Sequence, residues 1–300
     1  MRVAVTGSTG FIGLHLVRAL VERRDDVVAI ARATSDTARL LELGIAPACA
    51  ELDDVDALAE AILSCSAVVH LAGGGVADQR ETWRLNAEGT DHVIAACRAA
   101  DVRRLVLAST VSVTRRRVAA YGASKREAEH KALTSGLDVS VLRFAFVYGP
   151  GRTGVFARLV NLARRLPVVL VVGTGKLDIG PVYVDDVARA IVASLERPDL
   201  AIGKVYTLAG PPATFDDVVA GVLERVGPGK GTLHLPGRLA LALARALELL
   251  PRAPITRDNV LGMIQEAELD SSLAREELGF SPRALREGLD ATFARTPRQS

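Results

Sequence analysis

Through the first half of the chain, short apolar runs alternate with stretches whose apolar residues recur every three or four positions. Arg2–Val5 predicts a strand, and Phe11–Glu22 a helix with Ile12, Leu16, Ala19 and Leu20 on one face. Val27–Ala31 predicts a second strand, Ala46–Leu52 a weaker third, and Val55–Leu63 a helix. Ala67–Ala72 reads as a fully buried strand, Trp83–Ala100 as one long helix and Leu105–Ala108 as another buried strand. Tyr121–Thr134 then reads as a helix and Val139–Phe144 as a strand. Unbroken Val/Ile/Leu strands joined by helices mark a parallel sheet covered on both faces. The expected fold class is α/β, a doubly wound parallel sheet.

The rhythm changes after Gly149-Pro150-Gly151. Val168–Val172 and Lys204–Leu208 predict strands, Val184–Leu195 and Phe215–Val226 helices, and the chain from Pro236 onward reads as mostly helical. The expected division is a cofactor-binding domain over 1–150, recruiting roughly 181–210, with 151–180 and 211–300 as a smaller lobe over the sheet's carboxyl edge. Leu166–Gly175 is the most apolar stretch without a charge, too short for the roughly 20 residues of a bilayer span. Arg245 and Glu248 interrupt the apolar Leu239–Leu250 helix, whose expected fate is core packing.

Composition narrows the class. The chain has 300 residues, a net charge of +2 and 49% hydrophobic residues, which excludes a disordered chain and gives no strong pull toward nucleic acid or an anionic membrane. Cys49, Cys65 and Cys97 form no CxxC pair, so they are expected to be reduced and mostly buried. Val3–Val5 runs straight into glycines rather than into a longer apolar segment, so no signal peptide is expected and the expected location is cytoplasmic.

Those glycines carry the first chemistry. Thr6-Gly7-Ser8-Thr9-Gly10-Phe11-Ile12-Gly13 follows a strand and opens a helix. A dinucleotide pyrophosphate needs backbone amides at a helix N-terminus with no side chains in the way. Gly7 suits the tight turn, Gly10 the close approach and Gly13 the packing of the helix. An acid at the end of the second strand would bind the ribose hydroxyls of NAD, but that strand ends in Arg32. Arg32 suits a 2′-phosphate, so NADP is the preferred cofactor and NAD the alternative. A solvated arginine is the competing reading.

Tyr121-Gly122-Ala123-Ser124-Lys125 places Tyr and Lys one helical turn apart on one face, in a chain with five Lys and four Tyr. A tyrosine that exchanges a proton near neutrality needs a neighbouring cation to favour its phenolate. A hydroxyl at the end of the preceding strand would orient the substrate oxygen. Thr110 is the first choice, with Ser112 and Ser109 next. Arg115-Arg116-Arg117 lies between hydroxyl and tyrosine, either as a solvated loop or as a lure for an anionic substrate.

Together these residues resemble an extended or atypical short-chain dehydrogenase/reductase of the NAD(P)-dependent epimerase/dehydratase group. The resemblance runs from TGxxGFIG at Thr6–Gly13 through Val68–Gly73, Asn86–Thr90, Tyr121–Lys125, Val147–Pro150 and Val182–Ala188 to Glu277–Pro282 and Glu287–Leu289. It implies a Rossmann fold with Tyr121 as acid/base, Lys125 as its partner and Thr110 as the orienting hydroxyl. It implies cofactor contacts from Gly7, Thr9, Gly10, Phe11, Ile12, Gly13, Arg32, Leu71, Ala72, Gly73, Tyr121, Lys125, Phe144 and Val147. Leu52 and Asp53 would lie near the adenine, and Asn86 would brace the site. Substrate contacts would come from Ser112, Phe146 and Arg152, and the oligomer would be a homodimer.

The chain departs from nucleotide-sugar enzymes of that group at two places. Phe146 stands where they carry Asn, and Ile179-Gly180 where they carry Arg-Asp, which removes phosphate-binding donors. The segment from Leu166 to Val184 is similar to the atypical branch named for the NDUFA9 subunit of complex I. The expected activity is NAD(P)-dependent hydride transfer to or from a carbonyl or hydroxyl carbon of a small, apolar, non-nucleotide substrate. The alternatives are a nucleotide-sugar epimerase/dehydratase and a non-catalytic NADP-binding subunit or sensor.

Overall fold

Residues 1–74, 78–151, 154–247 and 257–294 are described by a computed structural model. Arg152 therefore lies outside the described residues, as do positions 248–250 of the apolar Leu239–Leu250 stretch. In chain order the strands are β1 (Arg2–Thr6), β2 (Asp26–Ala31), β3 (Ala48–Cys49), β4 (Ala67–His70), β5 (Arg104–Thr110), β6 (Asp138–Phe144), β7 (Val147–Tyr148), β8 (Val168–Val172), β9 (Val182–Tyr183), β10 (Val205–Leu208) and β11 (Gly231–Leu235). The helices are α1 (Phe11–Glu22), α2 (Ala38–Glu42), α3 (Val55–Ile62), α4 (Gln79–Trp83), α5 (Gly89–Ala99), α6 (Ala120–Leu133), α7 (Gly154–Arg165), α8 (Val184–Glu196), α9 (Pro198–Ala201), α10 (Phe215–Val226), α11 (Gly237–Leu247), α12 (Arg257–Ile264), α13 (Ser272–Leu278) and α14 (Leu285–Ala294).

Seven strands form one sheet in the order β10-β6-β5-β4-β1-β2-β3, and every pairing in it is parallel. The strands are apolar on both faces because both are covered. Val3, Val5 and Val69 point to one side, with α1 and α8 packed there through Leu16, Leu20, Val187 and Ile191. Ala4, Val68 and Leu105 point to the other, under α3, α5 and α6. This is the doubly wound Rossmann arrangement, with strand order reversing between β1 and β4.

Two expectations need correction. The helix expected over Trp83–Ala100 is α4 and α5 joined by a π-helical turn over Arg84–Glu88. One extra residue in that turn brings Asn86 inward, where its amide finds four polar partners (described below). The third strand shrinks to the two residues that reach β2, Ala48 and Cys49. Cys49 is exposed there, whereas Cys65 and Cys97 are buried.

After Gly151 a separate core forms from Phe156, Leu159, Val169, Val171, Phe215, Val218 and Leu289, with Tyr148 and Tyr183. Two small parallel pairs frame it, β7 with β9 and β8 with β11. This lobe is anchored to the sheet by the Asp185-Asp186 pair that opens α8. Asp186 is 1% exposed and accepts from Arg283 Nε at 3.0 Å, Nη2 at 2.8 Å and the Arg283 amide at 2.8 Å. The same guanidinium lies 4.1 Å from the centre of the Tyr183 ring. Asp185 meets His15 of α1, whose other nitrogen lies 3.1 Å from the Pro150 carbonyl.

Candidate active site

The glycine loop is shaped by contacts that leave no room for side chains. Gly7 turns at φ +69°, and a Cβ there would lie 2.6 Å from the Ala72 nitrogen. At Gly13 a Cβ would lie 2.1 Å from the Gly7 carbonyl oxygen, and at Gly10 3.1 Å from the same atom. Gly13 thus packs the first turn of α1 onto the loop itself. Gly10 sits at the N-cap with no side-chain cap, so the amides that open α1 face outward beneath an exposed glycine. This donor set fits a dinucleotide pyrophosphate. Thr9, Phe11 and Ile12 are half-buried along it. The Phe11 ring packs so closely on Gly151 that a Cβ there would lie 2.9 Å away.

Two side chains that sequence reasoning missed hold this loop. Ser8 is fully buried and its hydroxyl donates to the Ile30 carbonyl at 2.8 Å, tying the loop to the end of β2. Thr6 Oγ1 accepts from the Ala72 amide at 3.3 Å and lies 2.7 Å from His70 Nδ1. The Thr6–His70 contact holds the ends of β1 and β4 together. Burial, then the charge of Lys125, push the His70 imidazole down to about 3. A polar residue inside an otherwise apolar strand was the available signal for His70.

Beyond β2, Arg32 is exposed. The Glu81 carboxyl is lowered first by its hydrogen bonds from Arg84, and the Arg32 charge adds to this. Arg84 also donates to Asp53 at 3.1 Å, while the Leu52 side chain lies against Gly89. Arg32, Asp53, Glu81 and Arg84 thus form a charged, solvent-facing rim beside the end of β2.

The Tyr-Lys pair stands on α6. Lys125 is 4% exposed, and its Nζ donates to the Ala108 carbonyl of β5 at 3.0 Å. Burial brings its ammonium down to about 8, opposed by the nearby Glu129. A Cβ on Gly73 would lie 3.2 Å from this Nζ and 2.4 Å from Asn86 Oδ1, so Gly73, Lys125 and Asn86 converge. Asn86 accepts from the Gly74 amide at 3.0 Å and donates toward the Gly74 carbonyl, the Thr82 carbonyl and Ser124 Oγ, at 2.9, 2.9 and 3.0 Å. Ser124 in turn donates to the Tyr121 carbonyl at 2.9 Å. The π-helical turn thereby braces both the loop after β4 and the helix bearing Tyr121 and Lys125. Leu71 and Ala72, beside that loop, are half-buried, as is Val147, while Phe144 is buried in the sheet core.

The three candidate hydroxyls separate by their partners. Ser109 turns away and gives its proton to Glu129 Oε1, which Arg143 also holds. Thr110 accepts from the Ser112 amide and donates to Ser112 Oγ, both at 3.2 Å. Arg115 Nη1 donates to the same Ser112 oxygen at 2.6 Å and its Nη2 to the Gly262 carbonyl of α12 at 3.3 Å. Two donors on Ser112 Oγ direct its own proton outward. Of the arginine run, Arg116 and Arg117 are exposed as a solvated loop would be, but half-buried Arg115 is a strut between hydroxyl pair and lobe.

Residues 3–209 match the model of the NAD dependent epimerase/dehydratase family. The chain belongs to that family. Family members similar to it include a 2-alkyl-3-oxoalkanoate reductase of Stenotrophomonas maltophilia, 31% identical over 96% of this chain and 97% of that one. Another is a 4-hydroxy-2-methyl-3-oxo-4-farnesyl-3,4-dihydroquinoline-1-oxide ketoreductase of Stigmatella aurantiaca, 30% identical over 97% and 95%. Among solved structures, MoeE5 in complex with UDP-glucuronic acid and NAD superposes with a TM-score of 0.78 at 28% identity, covering 98% of each chain. The protein is thus an NAD(P)-dependent enzyme of the short-chain dehydrogenase/reductase type.

Within this epimerase/dehydratase family member, the two departures noted in the sequence are neighbours in space. The Phe146 amide faces the Ile179 carbonyl at 3.4 Å, and the Phe146 ring meets Phe215 edge-on at 6.0 Å between centroids. Phe146 and Ile179 both pack on the lobe's apolar core. Among the described residues no helix is long and apolar enough to cross a membrane.

Proposed function

We propose that the protein is an NADP-preferring ketoreductase acting on a small, apolar, non-nucleotide substrate. The observation that carries this reading is the buried Lys125 ammonium, held against Gly73 and the Ala108 carbonyl one helical turn from Tyr121. The amides opening α1 would hold the cofactor's pyrophosphate, Arg32 its 2′-phosphate and Lys125 a ribose hydroxyl. A bound nicotinamide supplies hydride to the substrate's carbonyl carbon. Tyr121 gives its proton to the carbonyl oxygen as charge develops there, and the Lys125 cation favours the phenolate left behind. The Thr110–Ser112 hydroxyl pair, fixed by Arg115, steadies the same oxygen.

The apolar Phe146–Ile179 wall supports a substrate without a diphosphate, and the 3-oxo substrates named for two relatives fit a keto group. The division into a cofactor-binding part (1–150 with about 181–210) and a substrate-binding part (151–180 and 211–300) is part of the same reading. NADPH oxidation is expected with 3-oxo acids or apolar ketones, with NADPH bound more tightly than NADH. Arg32→Ala should narrow that preference by about ten-fold. Tighter binding of NADH by the wild type, or an unchanged preference in the variant, contradicts the cofactor assignment. Tight binding of a UDP-sugar, as in MoeE5, would favour the epimerase reading instead.

A further inference from the structure

Among the described residues, seven of the sixteen exposed large apolar side chains fall on α7, β8, β11 and α11, and there they meet an unusual charge pattern. Residues 154–176 and 227–247 contain seven Lys or Arg and no Asp or Glu, within a chain whose net charge is only +2. In the parallel β8–β11 pair, Leu170 stands opposite Leu233. Val168, Leu170 and Leu233 share one face by strand alternation, and all three are exposed. Val172 and Leu235, further along that face, are covered by Ala240 and Ala244 of α11. The helix thus caps one end of the face and leaves the other open.

The core packing expected of the Leu239–Leu250 helix holds for only one face of α11. Two of its four alanines, Ala240 and Ala244, are buried, while Leu239 and Leu243, one turn apart, are 56% and 47% exposed. Arg164, Arg165, Arg238 and Arg245 are exposed on the same elements. Lys230 joins them, its Nζ donating to the Leu166 carbonyl at 3.0 Å between the end of α7 and the start of β11. The carboxylates of the adjoining α10 are engaged: Asp216 by His234, Asp217 in the Thr214 cap and Glu224 by Arg225.

We propose that this face docks the protein on an anionic bilayer surface, leucines entering the headgroup boundary and arginines pairing with lipid phosphates. Apolar side chains ringed by cations with no carboxylates are what an anionic interface selects. A second copy using the same patch would set the arginines of one protomer against those of the other, which disfavours a self-dimer. The inference does not depend on the reductase reading.

Co-sedimentation of the full chain with vesicles tests it. The wild type should bind phosphatidylcholine vesicles containing about one-third phosphatidylglycerol at least about ten-fold better than phosphatidylcholine alone, and lose binding in high salt. The pair Leu170→Glu/Leu233→Glu should abolish binding, and Arg164→Glu/Arg165→Glu should weaken it, with thermal midpoints and turnover of soluble substrate unchanged. Equal binding to both vesicle types, absence of binding, or leucine variants that still bind would overturn the proposal. So would a concentration-dependent dimer dissolved by the leucine substitutions without vesicle binding.

Discussion

Replacing Tyr121 with Phe is expected to lower ketone reduction by about two to four orders of magnitude, the usual worth of a positioned general acid. Cofactor affinity should stay within about threefold, because the pyrophosphate donors and Lys125 are untouched. Lys125 is buried at the cost of a lowered pKa, about 8, which a helix surface pair would not require. Its ammonium is fixed by the Ala108 carbonyl, and α6 is held to the sheet by Glu129 between Ser109 and Arg143. Such an arrangement fixes the position of one cation on the helix that carries Tyr121 one turn earlier. Removing the hydroxyl should remove the proton without loosening the helix, so the loss falls on turnover and not on stability. Turnover of the Phe variant within about threefold of the wild type would mean another group protonates the oxygen.

Gly13→Ala should damage both stability and cofactor binding. The added Cβ would meet the Gly7 carbonyl at 2.1 Å and the Ser8 Cα at 2.9 Å, all backbone and unable to swing aside. The loop has to move, and with it the outward amides of α1. We expect a stability loss of about 1–3 kcal/mol, typical of overpacking. We also expect cofactor dissociation constants raised by at least about ten-fold. Gly231→Ala, in open space at the start of β11, is the matched control and should change neither. Titration of NADPH by fluorescence, with thermal melts of both variants, reads the two effects. Unchanged NADPH affinity in Gly13→Ala would show that the loop does not carry the pyrophosphate.

How far the sequence could be read depended on the range of the interactions. The glycine spacing and the Tyr-Lys pair are local, and both stand where a strand meets a helix or on one helical turn. The sheet was legible because Val and Leu runs need cover on both faces. The π-helical turn at Asn86 was not, since one inserted residue hardly disturbs an apolar pattern that already spans two helices. The choice among hydroxyls depended on Glu129, 20 residues from Ser109, and on Arg115 reaching Gly262. No spacing rule links such pairs. The one-sided packing of α11 has a different origin: alternating Leu and Ala makes two apolar stripes, and only packing against Val172 and Val260 selects the alanines. Phe146 and Ile179 were legible as apolar residues at two separate places in the sequence, but their contact in the lobe was visible only in three dimensions.

The central claim is net hydride transfer to a ketone with Tyr121 supplying the proton, and isotope transfer tests it most directly. NADPH deuterated at the transferable position should be incubated with the protein and a 3-oxo acid, and the alcohol examined by mass spectrometry. One deuterium on the new carbinol carbon, matched by stoichiometric NADPH oxidation and absent with Tyr121→Phe, is the predicted result. Conversion of a nucleotide sugar without net oxidation of added NADPH, with no deuterium in any keto-acid product, would contradict it.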